Sequence, residues 1–533
     1  MVMGTSSSAG KSLLTAALCR CFARRGIRVA PFKAQNMSNN AAVCADRGEI
    51  GRSQALQAQA AGVLPHTDMN PVLLKPEGDT RSQVIVNGRP LQTFEAADHF
   101  ERRAQLWPHV TAALDRLREN HELVMIEGAG SPAELNLADV EMVNMSIARY
   151  CRAPVLLVGD IERGGVFAQL LGTLWLLPPE DRQLICGLIV NKFRGDLRLF
   201  DRGVELLQKR GHVPVLGVLP WVSSLNLPEE DAADLGQSIP ADSSIDKACL
   251  DIAVIRFPHI ANFDDFDPLR GEASVRLRYV QKEEEIGRPD VVILPGTKNT
   301  IGDLRWLRET GLATELQQQA SRNVTIIGIC GGYQMLGKQI RNPNRLENCC
   351  ECIEGLGLLD IETVFEPEKL TSQVQMVITN DLIAPSLQGE ILRGYEIHIG
   401  RTKTSTPWLS RTSGGKSSAV AQESNDLDRA YTDGGAYTDD CAHAADGAHA
   451  ADGAHANGGR IWGCYLHGLF HNDKFRNAWL VTFGVSSSSP RLSAVEATEQ
   501  SLNRIADAVE QHVDVDRIWL MINQFENESQ HVR

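Results

Sequence analysis

The chain has 533 residues, with 53 lysines and arginines against 67 aspartates and glutamates, a net charge of −14, and 43% hydrophobic and 23% charged residues. At about 150 residues per domain, that length predicts three or four domain-sized units, or two large ones, each with material for a core. An acidic chain argues against general nucleic-acid binding, the absence of any apolar run of bilayer-spanning length argues against a membrane protein, and MVMGTSSSAGKS lacks the regions of a secretory signal.

The first 220 residues alternate β-rich runs with helical patterns. Strands are predicted at Val29–Phe32, Leu123–Glu127, Pro154–Gly159, Leu184–Asn191 and Val215–Pro220, and helices at Lys11–Arg24, Arg52–Ala61 and Trp107–Asn120. Such alternation predicts a parallel sheet covered on both faces. Only Met1–Met3 remain to form a strand before the first glycine-rich turn. Residues 223–248 are acidic, contain Pro and Ser, lack periodicity and read as a linker. They divide a first domain, 1–222, from a second α/β unit, 249–485, whose strands are expected at Leu250–Arg256, Val291–Pro295 and Val324–Ile329. Within the second unit, residues 410–459 hold the repeat AHAADG-AHAADG-AHANGG with almost no large apolar side chains, so disorder and no function are expected there. Residues 486–533 carry amphipathic patterns at Leu492–His512 and Asp516–Phe525, read as a helical tail on the second domain. The 12 cysteines are scattered, which implies a reduced, cytoplasmic protein. The cluster Cys349, Cys350 and Cys352 fits no common metal spacing and reads as free thiols in a turn.

Two stretches carry chemistry. The first, Gly4-Thr5-Ser-Ser-Ser-Ala-Gly10-Lys11-Ser12, runs from strand to helix with a G-x₅-G-K-S spacing, one residue longer than the usual phosphate loop. Backbone N–H groups of such a turn cradle polyphosphate; Lys11 would reach the β/γ-phosphates and Ser12 would ligate Mg²⁺. A solvated lysine on a capping turn is the bland alternative, and it is weak at the first strand–helix junction. Leu123–Glu127 ends in a carboxylate before Gly-Ala-Gly130, where Glu127 could hold the Mg²⁺ shell. Asn191, in Asn-Lys-Phe-Arg-Gly-Asp196, could read a purine edge, although a strand-end asparagine is more often a turn former.

The second stretch, Gly328-Ile-Cys330-Gly331-Gly332-Tyr-Gln334, follows a strand and opens a helix: a nucleophile elbow with cysteine in the serine position. Its glycines permit the sharp turn, and a helix N-terminus stabilises a thiolate. Gly331 would supply one oxyanion N–H and the loop Pro295-Gly296-Thr297 a second. The base is His398 or His467; His467, beside a glycine at a strand end, is favoured. A buried structural cysteine and a core histidine are the alternatives.

The phosphate loop, EGAGSPAE, NKFRGD, GICGGYQMLG, GYEIHIGRT and YLHGLF, in this order, resemble the cobyric acid synthase family of glutamine-dependent amidases of cobalamin biosynthesis. The resemblance implies an α/β fold: an N-terminal P-loop domain of dethiobiotin synthetase type with a parallel sheet, then a class I glutamine amidotransferase-like α/β domain. It implies ATP, Mg²⁺ and L-glutamine as requirements, and a corrinoid substrate amidated at its b, d, e and g carboxylates, with neither nucleic acid nor membrane as partner; a homo-oligomer is compatible with it. It assigns Cys330 as glutaminase nucleophile, His467 as its base and Gln334 to the glutamine pocket. Gly4, Thr5, Gly10, Lys11, Ser12 and Asn191 fall to ATP. Ser12 and Glu127 fall to the metal, with a further acid that fits Glu49 slightly better than Asp46. Lys33, Gln35 and Asn36, within Lys33–Asn39, face the carboxylate to be activated. Many class I amidotransferases carry Glu two residues after the histidine; Leu469 stands there, so a Cys–His dyad is expected and what orients His467 is open. A polyanionic substrate requires a basic patch, for which Lys33, Arg52, Lys75 and Arg81 are candidates, and an enclosed path for ammonia between the two sites. Cobyrinate a,c-diamide synthase is the rival within the superfamily; a non-enzymatic P-loop ATPase switch with a degenerate amidotransferase-like domain is the rival outside it.

Overall fold

The computed structural model describes the chain except residues 79–80, 96–98, 138–139, 224, 229–248, 348–349, 413–450, 486–491 and 531–533. In the N-terminal half, Val2–Gly4, Val155–Asp160, Ile185–Phe193 and Val215–Pro220 pair in parallel in that order. Val29–Phe32 pairs in parallel with Leu123–Ile126, and a parallel bridge from Val2 to Glu127 joins this pair to the rest. These strands are largely apolar because helices cover both faces, with Asp160, Asn191 and Lys192 toward their C-terminal ends. The three residues before the glycine-rich turn do form a strand, fully buried between two neighbours. A side sheet of Gln35–Met37, Val72–Pro76, Arg81–Val86 and Arg89–Glu95, with the hairpin Ala41–Val43/Glu49–Gly51, lies toward the second half.

The second half is built on Val275–Val280, Leu250–Ile255, Val291–Leu294, Thr325–Ile329 and Ile461–Cys464, parallel in that spatial order, with Ala454–Ala456 antiparallel at the edge. A second sheet carries the long antiparallel pair Ile361–Ile378 and Ile391–Thr404. Gly332, just past the elbow, packs so closely on the Leu294 strand that a Cβ would lie 2.0 Å from the Leu294 carbonyl oxygen. Only glycine fits there, which fixes the elbow against the neighbouring strand.

Four expectations change. The tail packs its apolar face on the first domain rather than the second, which it meets where the Ala494 N–H donates to Asp473 Oδ1 at 3.2 Å. Helix Ala494–His512, started by a capping box in which Ser493 and Glu496 each bond the other's backbone N–H, lays Leu502, Ile505, Ala506 and Val509 on helix Lys11–Arg24 of the first domain. That helix would otherwise show an apolar face to water; each large side chain buried in the seam contributes about 1.5–3 kcal/mol. Arg20–Glu499 at 2.8 Å flanks the seam, and Gly217 lets the chain at His512 approach, since a Cβ there would lie 2.4 Å from the His512 carbonyl oxygen. The supposed linker begins as ordered chain: Leu225 and Leu227 join the same cluster and Asn226 N–H donates to Ser501 Oγ at 3.0 Å, while residues 229–248 lie outside the described residues. The expected disorder of 410–459 fails at both ends. Leu409–Arg411 and Ala451–Asp452 pair antiparallel, and buried Asp452 accepts the Tyr465 N–H at 3.0 Å; residues 413–450 lie outside the described residues. Helix His99–Asn120 starts earlier than predicted and keeps Pro108 inside it. Cys349 also lies outside the described residues; Cys350 and Cys352 are free thiols.

Candidate functional site

The loop between Gly4 and Lys11 closes around a lysine. Lys11 Nζ donates to the carbonyls of Ser6 at 2.8 Å, Ser7 at 3.2 Å and Gly130 at 3.1 Å. Gly10 takes φ +92°, a left-handed conformation suited to glycine, and a Cβ there would lie 2.2 Å from Asn191 Nδ2. Asn191 therefore braces the loop: its Nδ2 donates to the Ala9 carbonyl at 2.9 Å and its Oδ1 accepts the Lys192 N–H at 2.8 Å. Thr5 Oγ1 donates to Gln169 Oε1 at 3.1 Å. A second ammonium, unforeseen in the sequence, belongs to Lys192, whose Nζ donates to the Ser8 carbonyl at 2.7 Å and pairs with Asp160 at 2.9 Å. A glycine-lined turn, a helix N-terminus and two ammoniums form a cradle that fits a polyphosphate.

Glu127 is the junction beneath this loop. Its buried carboxylate accepts from Ser12 Oγ at 2.8 Å, pairs with Lys33 Nζ at 2.9 Å and accepts from Gln57 Nε2. Ser12 and Glu127 are adjacent oxygen donors of the kind a hard divalent cation takes, and Mg²⁺ commonly needs only one or two protein ligands beside phosphates and water. Glu49 does not join them. It is buried and held by Lys75 and by Lys369 of the other half, with Thr371 Oγ1 donating at 3.3 Å. Burial alone would raise its pKa; the Lys369 and Lys75 ammoniums override that and hold it at about 2. A carboxylate already committed to two ammoniums is an interdomain anchor, not a ligand for a further cation. Among the described residues no cluster of three or more His, Cys, Asp or Glu side chains is arranged to hold a metal.

The segment expected to face the acceptor is also inward-turned. Asn36 Nδ2 donates to Gln54 Oε1 at 2.9 Å and Asn36 Oδ1 accepts the Met37 N–H at 2.9 Å, while Gln35 is half-buried. The expected open basic patch is not what Lys33, Arg52 and Lys75 make: each is bound to a carboxylate, Glu127, Asp264 and Glu49 respectively. Of the four candidates Arg81 alone is exposed.

In the second half, Cys330 sits at φ +51°, ψ −110°, the strained turn expected of an elbow nucleophile. Its Sγ donates to the Ile397 carbonyl at 3.5 Å. Gly331 opens the helix beside it, and a Cβ at Gly296 would lie 3.1 Å from His467 Cε1 and 3.8 Å from Cys330 Cβ, so all four meet in one place. Gln334 is a strut: its Nε2 donates to Tyr465 Oη at 3.0 Å and its Oε1 accepts from Thr300 Oγ1 at 3.3 Å. His398 is turned elsewhere, stacked on Tyr465 at 3.8 Å with Nδ1 at 2.8 Å from the Gly400 carbonyl.

His467 has a third partner that no motif announced. Its backbone pairs with Tyr395 in both directions, its ring stacks on Tyr395 at 5.1 Å, and Nδ1 lies 2.7 Å from Asp265 Oδ2. Asp265 Oδ1 accepts the Gly468 N–H at 2.8 Å, so the carboxylate is locked. Burial disfavours a charged imidazole, but Asp265 and the Cys330 sulfur outweigh it and lift the His467 pKa to about 10. The constellation is a Cys–His–Asp triad, with the acid 202 residues before the histidine. It can deprotonate a thiol and stabilise the resulting ion pair. Around it, Tyr395 Oη, Asp264 Oδ1 and His471 Nδ1 are buried without a hydrogen-bond partner.

Comparison with known proteins places both halves. Residues 1–234 match the CobQ/CobB/MinD/ParA nucleotide binding domain, and residues 251–475 the CobB/CobQ-like glutamine amidotransferase domain. A cobyric acid synthase of Chloroflexus aggregans is 49% identical over 509 residues, covering 96% of this chain and 95% of its own. That of Herpetosiphon aurantiacus is 47% identical over 524 residues, 98% of each chain, and that of Roseiflexus castenholzii 50% over 489 residues, 91% of each.

Proposed function

The chain belongs to the cobyric acid synthase family, and from that premise we propose how its residues divide the work. It is a glutamine-dependent amidoligase of cobalamin biosynthesis, acting on cobyrinic acid derivatives with ATP and glutamine. The finer reading is amidation of the b, d, e and g carboxylates of adenosylcobyrinic a,c-diamide, in the cytoplasm. Among the described residues no helix is long and apolar enough to cross a membrane.

Amide formation from a carboxylate is uphill in water, so the acceptor first takes the γ-phosphoryl of ATP as an acyl phosphate, releasing ADP; ammonia then displaces phosphate. Lys11, with Lys192 beside the loop, neutralises charge on the transferred group, where positioning and electrostatics supply most of the rate. Mg²⁺, when bound beside Ser12 and Glu127, supplies Lewis-acid neutralisation of the phosphate oxygens. Lys33 shares Glu127 with Ser12 and is placed to exchange that carboxylate for the acceptor's. In the other site His467 takes the Cys330 proton, the sulfur attacks the glutamine amide, ammonia leaves and water hydrolyses the thioester to glutamate. Gly331 and Gly296 line the position of the oxyanion.

The observation that carries this reading is Glu127, which joins Ser12 of the phosphate loop to Lys33 of the acceptor segment within 3 Å of each. This supports a reading in which the phosphoryl donor and the carboxylate to be primed meet side by side above Glu127. The orphaned polar atoms of Tyr395, Asp264 and His471, on the flank of His467 facing Arg52 of the first half, would be satisfied by a guest the size of water or ammonia, which supports an enclosed passage. A degenerate, merely binding module would have no reason to keep Cys330, His467 and Asp265 in register. The test is product mass after incubation with ATP, Mg²⁺, glutamine and the diamide: successive replacements of OH by NH₂ are expected, and recovery of unchanged diamide refutes the assignment.

Asp265→Asn isolates the third member. An asparagine NH₂ facing Nδ1 would force the ring's proton onto Nε2, leaving no base for Cys330. Glutamate release should fall about 10²–10⁴-fold with ammonia-driven amidation largely spared. A drop under about tenfold would mean that Asp265 only packs.

A further inference from the structure

The turn Asn262–Phe266 touches both ring nitrogens of His467. Asp265 holds Nδ1, and Asn262 Nδ2 stands 3.3 Å from Nε2, the nitrogen that must receive the thiol proton. The synthetase half grips the same turn from the other side. Ala41 N–H donates to Asn262 Oδ1 at 3.1 Å, Phe263 N–H donates to Asn40 Oδ1 at 3.1 Å, and Arg52 pairs with Asp264 at 2.9 Å. Asn262 itself takes φ +51°, ψ +42°, a left-handed conformation that asparagine tolerates better than most residues.

These bonds fix the chemistry that Nε2 meets. A backbone N–H can only donate, so Ala41 turns the Asn262 oxygen toward itself and leaves the NH₂ facing the imidazole. An imidazolium carries N–H on both nitrogens and cannot accept that NH₂. Held in this way, Asn262 favours a neutral ring whose Nε2 lone pair it occupies, in competition with Cys330. The ion pair toward which Asp265 drives the ring would bring two donors face to face. The thiol is in keeping with this state, since its Sγ lies 3.5 Å from the Ile397 carbonyl, which can accept its proton, as well as beside the imidazole.

We propose that Asn262 is a positioning residue through which the synthetase half restrains His467, so that glutamine hydrolysis follows the state of the acceptor segment. Ala41 lies eight residues from Lys33 on a continuously anchored stretch: Lys33 on Glu127, Asn36 on Gln54, Ser38 N–H on the Leu74 carbonyl, Asn40 N–H on Ser38 Oγ. An acceptor that draws Lys33 off Glu127 shifts this stretch, Ala41 releases the amide, and the proton of Cys330 passes to Nε2. The inference rests on reading Lys33–Asn39 as acceptor-facing.

The experiment measures glutamate release by the full chain with glutamine alone, then with ATP and adenosylcobyrinic a,c-diamide. Wild type should be stimulated by the pair. Asn262→Ala should raise the rate with glutamine alone by about five- to tenfold, the effect of one hydrogen bond, change kcat more than KM, and lose most of the stimulation. Asn40→Ala, which loosens the same turn from the other half, should move in the same direction by less, and carries the test if Asn262→Ala fails to fold. An unstimulated wild type, or variants with wild-type basal rate and full stimulation, or variants with a lowered basal rate, would each overturn the proposal. Amidation by wild type with ammonium chloride in place of glutamine separates the two readings. No product there overturns the synthetase assignment itself; product without stimulated glutamate release overturns only the restraint.

Discussion

Cys330→Ala should abolish glutamate release from glutamine, by at least about 10⁴-fold, because no other group at the elbow can form the thioester. The sulfur is the only nucleophile that the Gly328–Gly332 turn presents to His467. Removing it also removes one of the two groups, the other being Asp265, that raise the ring's affinity for a proton. Cys330 bonds to a carbonyl and to nothing in the phosphate loop, so the synthetase half keeps its geometry. Amidation with free ammonia should therefore persist in the variant, and faster at high pH, where more of the added nitrogen is unprotonated. Loss of both routes together in a folded variant would contradict the separation of the two chemistries.

Lys11→Ala should have the complementary effect. Both the glutamine-driven and the ammonia-driven reaction should fall by about 10²–10³-fold, the scale seen when a preorganised charge at a developing anion is deleted. The ammonium has two roles. It lies buried within the phosphate loop, where it would meet the transferred phosphoryl, and it ties Ser6, Ser7 and Gly130 to one another. Lys11→Arg keeps the charge but not the fit, and is expected to remain far below wild type, since a planar guanidinium cannot curl into a turn that wraps a tapering ammonium. Basal glutamate release should survive in both. If amidation survived Lys11→Ala instead, the phosphate loop would not be the site of carboxylate activation.

What the sequence made legible was what local chemistry determines. The phosphate loop and the cysteine elbow need glycines at fixed offsets, and strand edges such as Val29–Phe32 and Val215–Pro220 follow from short apolar runs bounded by turns. What stayed hidden was set by distant pairing. Asp265 was invisible because the common pattern puts an orienting acid two residues past the histidine, and Leu469 stands there. The acid comes from a turn after the strand Leu250–Ile255; two consecutive acids between phenylalanines, Phe263-Asp-Asp-Phe266, were the available signal. Glu49 suited a metal by the family resemblance alone, but its environment is decided by Lys369, more than three hundred residues away in the chain. The tail helix follows the second domain in sequence, whereas its apolar stripe is matched by the apolar face of Lys11–Arg24. The histidine repeat behaves likewise at small scale: its final residues, poor in apolar content, are ordered because Asp452 and Ala454 are claimed by strands on either side.

The most direct measurement of the central claim uses glutamine labelled with ¹⁵N in its amide, supplied to wild type with ATP, Mg²⁺ and the diamide in the presence of excess unlabelled ammonium. If nitrogen freed at Cys330 travels inside the protein to the carboxylate primed above Glu127, the mass of the product will show ¹⁵N at each new amide. Product carrying the unlabelled nitrogen of the medium would contradict that claim, and the two sites would then be independent enzymes on one chain with no passage between them.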